Sequence, residues 1–242
     1  MRVKAVIAYN GAHFNGFQKQ KNTANTIVET IEKALYSLGI ESKIVGSGRT
    51  DKGVHATGQV IHFDLPSFWQ KQSLEKLKNL LNQRLHYIEF KDIKKVDSSF
   101  HAQYKAKKRI YKYIIKQKRV SVFEKDFVSH YKIYDFKTFT KAIKLFENTH
   151  NFAYFKKEGS FTSTTIRTIY KTKVIRKKDF IICYFIANGY LRSQIRMMIA
   201  AAIAAANGKI TLQAISEQLT LQKKHINTLA SPNGLYLAKV IY

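Results

Sequence analysis

The sequence has little cysteine, proline and acid, and each scarcity narrows what the protein can be. Cys183 is the only cysteine among 242 residues, so neither an internal disulfide nor a cysteine-rich zinc site can form. The chain has 2 prolines, and no low-complexity linker separates its halves. Acidic residues number 16 against 42 lysines and arginines, for a formal net charge of +26. The 45% hydrophobic content is ample for the core of one large domain or two small ones.

Two explanations fit the excess of positive charge. A globular chain this basic is expected to meet a polyanion, and nucleic acid is the leading candidate. A lysine bias of the source proteome would raise the charge without any such partner. We favour nucleic acid as the explanation.

Long hydrophobic runs are also missing. The longest, residues 197–206, is too short to cross a bilayer, and it begins beside Arg196. The first residues, Met-Arg-Val-Lys, lead directly into a strand-like segment and do not resemble a signal peptide. We therefore expect a soluble, cytoplasmic protein that makes no contact with a membrane.

The most informative stretch, residues 46–63, has the sequence GSGRTDKGVHATGQVIHF. Its first part contains four of the 11 glycines, which indicates a tightly folded loop. The loop also carries a guanidinium, a carboxylate and an imidazole, on Arg49, Asp51 and His55. An aspartate two residues before a glycine is common in plain turns, where it accepts backbone N–H groups. The chemical alternative is a carboxylate that acts as a nucleophile or a general base.

Hydrophobic periodicity predicts an alternation of strands and helices along the whole chain. The predicted strands are residues 3–9, 43–47, 59–65, 93–100, 109–116, 128–133, 165–176, 180–187 and 235–242. The predicted helices are residues 26–39, 73–85, 136–146, 192–206 and 212–219. Each half therefore has the approximate order β-α-β-β-α-β, the split βαβ arrangement of ferredoxin-like folds. The fold class is α+β, and we expect an N-terminal lobe of residues 1–105 and a C-terminal lobe of residues 106–242, with a cleft between them.

Residues 105–119 form a second candidate site, because they hold eight basic residues, no acid and two tyrosines. In a strand, Arg109, Tyr111 and Tyr113 share one face. Basic groups bind phosphates and tyrosine rings stack on unpaired bases, as in RNA recognition. The plainer interpretation is that the two tyrosines are core residues of a sheet, and for such a pair it is normally the better one. The surrounding positive charge strengthens the RNA-binding interpretation without excluding the plainer one.

Other site types lack support in the sequence. The eight histidines show no metal-ligand spacing, and no phosphate-binding loop or dinucleotide fingerprint occurs. Cys183 lies in an apolar run and is expected to fill the core. The residues alone thus favour a basic α+β protein of two lobes, with a carboxylate on a glycine loop, that acts on nucleic acid.

Five segments in order resemble the tRNA pseudouridine synthase A family. The loop segment GRTDKGVHATGQVIHF is similar to the catalytic loop of that family. The other four segments are YNGAHFNGFQKQ near the start, FHAQYKAKKRIYKY at 100–113, YLRSQIRMM at 190–198 and ASPNGLYL at 230–237. Together they span nearly the whole chain. The resemblance implies two similar lobes that share an extended, mainly antiparallel sheet around a basic cleft.

The resemblance also implies a reaction and its residues. The reaction is isomerisation of uridine to pseudouridine at positions 38, 39 and 40 of the tRNA anticodon stem-loop, by a homodimer without metal or organic cofactor. Asp51 matches the nucleophilic aspartate, and Tyr111 matches the tyrosine that stacks on the target base. Arg49 is placed to fill the space that the flipped base leaves. Arg196 matches the arginine expected to pair with the aspartate and to keep it ionised.

Three positions depart from the family pattern. Phe17 stands where tryptophan is usual, Asn151 replaces an aspartate, and Ala200 replaces a frequent glycine. None of them is a predicted site residue, so they affect packing and tRNA contacts rather than the reaction. The competing hypothesis is a non-catalytic RNA-binding protein or RNA chaperone on the same scaffold. A basic nucleotide hydrolase is a third possibility, but the chain has no metal or phosphate-loop motif for it.

Overall fold

The computed structural model describes residues 1–159 and 162–242, which divide into two compact units. We call Met1–Lys107 together with Tyr236–Tyr242 the N-terminal unit, and Lys108–Leu235 the C-terminal unit. The described residues form ten strands, mostly antiparallel, and five α-helices. The strands are β1 (Arg2–Tyr9), β2 (Val45–Gly46), β3 (His55–Asp64), β4 (Ile88–Lys95), β5 (Lys108–Lys116), β6 (Ser129–His130), β7 (Asn148–Asn151), β8 (Ile166–Lys177), β9 (Phe180–Ala187) and β10 (Leu235–Ile241). The helices are α1 (Ile27–Tyr36), α2 (Leu74–Arg84), α3 (Phe136–Lys144), α4 (Gln194–Ala206) and α5 (Leu212–Leu219).

In the N-terminal unit, β3 is the central strand. β1 pairs antiparallel with β3 on one side and with β4 on the other, which gives the order β4-β1-β3. The edge of β3 opposite β1 is shared: β2 pairs antiparallel at Ile61 and His62, and β10 pairs parallel at His55 and Ala56. Because β3 is paired on both edges, the loop that precedes it joins a strand that is fixed in the sheet.

Local sequence explains the elements of this unit. Alternate residues of β1 are buried, as expected for a strand with one face on the core. α1 begins at Thr26, whose hydroxyl accepts a hydrogen bond from the Glu29 backbone N–H at 3.3 Å. Ile27, Ile31 and Leu35 then form its buried face.

In the C-terminal unit, β5 and β9 pair antiparallel in continuous register from Arg109↔Ala187 to Lys116↔Phe180. β8 pairs with the other edge of β9, β7 follows β8, and β6 pairs parallel with β5. Alternate residues of β5 and β9 are buried, including Tyr111, Tyr113 and Cys183. α4 is buried on most of its surface and packs against α3. Cys183 is a buried free thiol, which confirms that it fills the core.

Most predicted elements are confirmed with small shifts of their ends. β9 has the predicted bounds, and the strand predicted at 128–133 is reduced to Ser129–His130. The strand predicted at 93–100 instead occupies Ile88–Lys95, and the one predicted at 43–47 is reduced to Val45–Gly46. β7 was not predicted. In the part of the chain that the structure describes, no helix has the length and hydrophobicity needed to span a bilayer.

Candidate active site

Asp51 lies in the loop between β2 and β3, where its side chain is half-exposed. The backbone carbonyl of Asp51 accepts a hydrogen bond from the Val54 N–H at 3.1 Å, which closes a turn over residues 51–54. Gly53 has φ +78° in this turn, a conformation that residues with a Cβ rarely adopt. Asp51 is therefore presented at the start of a turn whose backbone path is fixed.

Thr50 connects the loop to β1. Its hydroxyl and the hydroxyl of Tyr9 are 2.8 Å apart in a buried hydrogen bond. The Thr50 carbonyl accepts from the Phe17 backbone N–H at 3.1 Å. Thr50 is itself buried, while its neighbours Arg49 and Asp51 reach the solvent. The residue between the two predicted site residues thus holds them in place.

The other end of the loop is anchored through Gly11 and His55. The Gly11 backbone N–H donates to His55 Nδ1 at 3.1 Å. A Cβ on Gly11 would lie 2.0 Å from the Val54 carbonyl oxygen, so only glycine fits beside the loop. His55 is buried, and its ring stacks on Tyr236 with the centroids 4.7 Å apart. The His55 imidazole therefore accepts a hydrogen bond that positions the backbone of the loop. The sequence alone indicated only that it is a titratable group among the glycines.

Gln59 holds the beginning of the loop. Its side-chain oxygen accepts from the Ser47 hydroxyl at 2.6 Å, and its side-chain nitrogen donates to the Gly48 carbonyl at 2.8 Å. Both Gln59 and Ser47 are buried. A buried amide that serves both a hydroxyl and a carbonyl fixes the loop without any charge.

Tyr111 belongs to the C-terminal unit, on the buried face of β5, with 7% of its surface exposed. The Tyr190 ring contacts it edge to face, with the centroids 5.1 Å apart and the planes at 79°. The Tyr190 hydroxyl donates to the Arg109 carbonyl at 3.5 Å. Removal from water, and then the neighbouring Tyr111, raises the pKa of Tyr190 well above its usual value, so Tyr190 keeps its proton.

Arg196 lies in the first part of α4 and is half-buried. Its Nε donates to the Ala230 carbonyl at 2.7 Å, and the Ala230 N–H donates to the Arg196 carbonyl at 3.0 Å. Ser231, which follows Ala230 in the chain, is hydrogen-bonded to two tyrosines. Its carbonyl accepts from the Tyr113 hydroxyl at 2.8 Å, and its N–H donates to the Tyr131 hydroxyl at 2.8 Å. The segment ASPNGLYL thus fixes Arg196 within this unit.

The structure places the four predicted site residues on two units. Arg49 and Asp51 lie on one loop of the N-terminal unit, with Arg49 exposed. Tyr111 and Arg196 are in the C-terminal unit. Over residues 1–159 and 162–242, no group of three histidine, cysteine, aspartate or glutamate side chains could hold a metal ion.

The residues that support the site are not recognisable from the sequence. Thr50, Gln59 and Tyr190 all lie inside segments that the resemblance covers, but their roles depend on partners elsewhere in the chain. Tyr9 and Thr50, for example, are separated by 41 positions. Their only signal in the sequence is that they lie within these segments.

Comparison with known proteins gives a single answer. A family described as tRNA pseudouridine synthase matches residues 5–105 and 142–242, which include Arg49, Asp51 and Arg196 but not Tyr111. The protein named tRNA pseudouridine synthase A of Helicobacter hepaticus is 42% identical over 243 residues, covering 99% of this chain and 98% of that protein. The protein of the same name from Streptococcus pyogenes is 36% identical, with coverage of 100% and 99%. That from Wolinella succinogenes is 34% identical, with coverage of 98% and 93%.

Proposed function

Because the chain belongs to the tRNA pseudouridine synthase family, isomerases that convert uridine in tRNA to pseudouridine, we propose that its targets are the uridines at positions 38, 39 and 40 of the anticodon stem-loop. These positions are what the resemblance to the tRNA pseudouridine synthase A family implies, and the observation that carries the proposed catalysis is the carboxylate of Asp51. It reaches the solvent from a loop whose backbone is fixed through Thr50, Gly11 and Gln59. A binding protein gains nothing from presenting a carboxylate to the phosphates of RNA.

Asp51 is the nucleophile in this proposal. The bond between N1 of uracil and C1′ of ribose breaks, the base turns, and C5 forms a bond to C1′ while its hydrogen leaves as a proton and N1 takes up a proton. A carboxylate suits the reaction because it can add either to the base or to the sugar carbon and leave again. The rearrangement is redox-neutral, so neither a metal nor an organic cofactor enters the proposal.

The other three residues bind the substrate. A uridine inside a stem must leave the stack before a nucleophile can reach it, which costs a few kcal/mol. Tyr111 offers an aromatic ring to the extruded base, and the edge-on contact with Tyr190 supports that ring. Arg49, which is exposed, fills the space that the base leaves or holds the flipped nucleotide. Arg196 supplies positive charge from the start of α4, and its pairing with the aspartate stays a prediction of the resemblance.

Two ferredoxin-like lobes, residues 1–105 and 106–242, that share an extended sheet around a basic cleft belong to the same proposal. The strand order within each unit supports it. The N-terminal unit has the strand order β4-β1-β3, and β2 pairs with the other edge of β3, which is the strand order of a split βαβ fold. The C-terminal unit contains the order β5-β9-β8, which corresponds to three of those four strands. We propose further that the enzyme works in the cytoplasm as a homodimer on tRNA.

The test is the release of tritium from tRNA labelled at uridine C5, measured with the natural protein and with Asp51→Ala and Asp51→Asn. We expect release from the natural protein and none from either variant, with the affinity for tRNA unchanged within a small factor. A matched control is Asp92→Asn. Asp92 is a surface carboxylate of the same unit that pairs with Lys94 at 3.0 Å, and its loss should leave tritium release intact.

Each outcome has a definite meaning. If the natural protein binds tRNA without releasing tritium, the chain is the RNA-binding protein or chaperone of the competing hypothesis. If the Asp51 variants lose their thermal unfolding transition, Asp51 is structural and the proposed nucleophile is wrong.

A further inference from the structure

Two arginines of the C-terminal unit meet at the turn after β9. A Cβ on Gly189 would lie 3.7 Å from Arg167 Nε and 4.0 Å from Arg109 Nη1, so both guanidinium groups reach the same point. Arg109 comes from β5 and Arg167 from β8, the strands on either side of β9. Both side chains are half-buried. Two positive charges are thus held together by three neighbouring strands.

Hydrogen bonds to backbone carbonyls hold both side chains in position. Arg109 Nη1 donates to the Asn188 carbonyl at 2.7 Å. Arg167 Nη1 donates to the Thr164 and Ile166 carbonyls at 2.9 and 2.6 Å. Across residues 1–159 and 162–242, Arg167 makes no ion pair with a carboxylate. Burial, and then the charge of Arg109, lowers the pKa of Arg167. The repulsion between the two guanidinium groups favours the binding of an anion beside Arg167.

The arginine pair lies next to the tyrosine proposed to stack on the target base. Arg109 is two residues before Tyr111 on the same face of β5, a separation of about 7 Å along a strand. Tyr190, which follows Gly189, contacts the Tyr111 ring and donates to the Arg109 carbonyl. Tyr190 thus connects the Tyr111 ring with the strand residue Arg109 of the pair.

We propose that Arg109 and Arg167 form a two-arginine site for a backbone phosphate of the RNA strand whose base stacks on Tyr111. A guanidinium presents several donors in a planar fork, and two of them can surround a phosphate from different sides. The inference rests on the proposed function for the presence of RNA, and it adds a positioning contact that fixes the strand relative to Tyr111.

The sharpest test is Gly189→Asp, which puts a carboxylate where the phosphate would bind. Gly189 does not have a positive φ, and a Cβ there meets the arginines at ordinary contact distance, so the variant should fold. We expect it to be at least as thermally stable as the natural protein, because the carboxylate gives Arg167 an ion-pair partner. We also expect its Kd for tRNA to rise at least tenfold. If the pair has only a structural role, stability improves and the Kd stays unchanged, which would overturn the proposal.

A second measurement counts the phosphate directly. The slope of log K against log salt concentration becomes shallower by about 0.9 for each phosphate that the protein no longer neutralises. Arg167→Gln should therefore weaken tRNA binding and flatten this slope by about one, and Arg167→Lys should do so less. Arg176→Gln is the matched control, because Arg176 is on the same strand, about 30 Å away, beside Phe136. An equal change in Arg176→Gln would show that only net charge matters and would overturn the proposal.

The two proposals fail separately. Tritium release is measured on the same protein preparations. If the natural protein releases tritium while Gly189→Asp and Arg167→Gln bind tRNA as it does, the phosphate site is wrong and the proposed reaction stands. If the natural protein releases no tritium but these variants lose tRNA affinity and salt dependence as described, the phosphate site stands without the reaction.

Discussion

The ring of Tyr111 and its hydroxyl contribute differently to binding a base. Stacking depends on the aromatic face, which contributes about 1–3 kcal/mol per base, and not on the phenolic oxygen. Tyr111→Phe should therefore bind tRNA within about twofold of the natural protein. Tyr111→Leu keeps an apolar side chain of similar size in a largely buried position but removes the aromatic face, and should weaken binding about tenfold. Both affinities are best measured in the Asp51→Asn background, where no product forms.

The thermal midpoints of the two Tyr111 variants are the control for this comparison. A Leu variant that binds as tightly as the Phe variant, at similar stability, would mean that the ring does not stack on a base and is an ordinary core residue. That was the plainer interpretation of the tyrosine pair in the sequence.

At the same scale, the sequence is enough to propose site residues in the loop, but it does not reveal the residues that support them. Asp51 and Arg49 are recognisable because their neighbours in the chain form a motif. The hydrogen bonds from Tyr9 to Thr50 and from Gly11 to His55 join residues more than 40 positions apart. Nothing local in the sequence indicates that such residues meet, because the pairing of β1 with β3 brings them together.

At the scale of elements, irregular strands are where the sequence prediction was least accurate. β4 contains a bulge: Val6 pairs with Asp92 and Ile7 with Phe90, so one residue of β4 is extra. Its buried residues Ile88, Phe90 and Ile93 are consequently spaced by two and then by three, which breaks the alternation expected of a strand. β7, with the sequence NTHN, has no hydrophobic signal at all. β9 was predicted to the residue because its alternation is unbroken and a tight turn precedes it.

The segment after β4 packs on a buried histidine of β3 and makes a prediction about pH. His62 is 4% exposed, and its Nδ1 accepts a hydrogen bond from the Ala102 backbone N–H at 3.2 Å. Burial, then the charge of Arg2 and then His101, lowers the pKa of His62 to about 4. The unfolded chain, with an ordinary histidine pKa near 6.5, therefore binds more protons than the folded protein between about pH 4 and 6.5.

The free energy of unfolding should consequently fall as the pH is lowered from about 6.5 to 4. Above pH 6.5, His62 should contribute nothing to the pH dependence of this free energy. The loss is on the order of 3 kcal/mol, the free energy that a change in pKa from 6.5 to about 4 represents. Urea unfolding at pH 7, 5 and 4 measures it. His62→Gln, whose amide oxygen can still accept from Ala102, should show a flatter dependence on pH.

The exposed His86 supplies the control for the pH experiment. His86→Gln should keep the full loss of stability between pH 6.5 and 4, because that side chain does not lie in the core. If His62→Gln loses as much stability as the natural protein over this window, the acid sensitivity comes from other groups and the account of His62 is wrong.

At the scale of the whole molecule, the charge of +26 had two explanations that the sequence could not separate. A lysine bias of the source proteome would distribute lysines over the surface without relation to tRNA binding. Binding to tRNA would use part of the charge in contacts with phosphates. The two differ in a measurable quantity, because each phosphate that a lysine or arginine neutralises releases condensed counterions into solution.

Affinity for tRNA should therefore fall linearly on a plot of log K against log salt concentration, with a slope of about −4 or steeper. Over the same range, KM for tritium release should rise with salt while kcat stays nearly constant, since screening weakens phosphate contacts but leaves the bond changes at Asp51 alone. Fluorescence anisotropy with labelled tRNA gives the slope, and the tritium assay gives both kinetic constants. A slope shallower than about −1 would mean that few of the 42 basic side chains touch phosphate, and that proteome bias explains the charge after all.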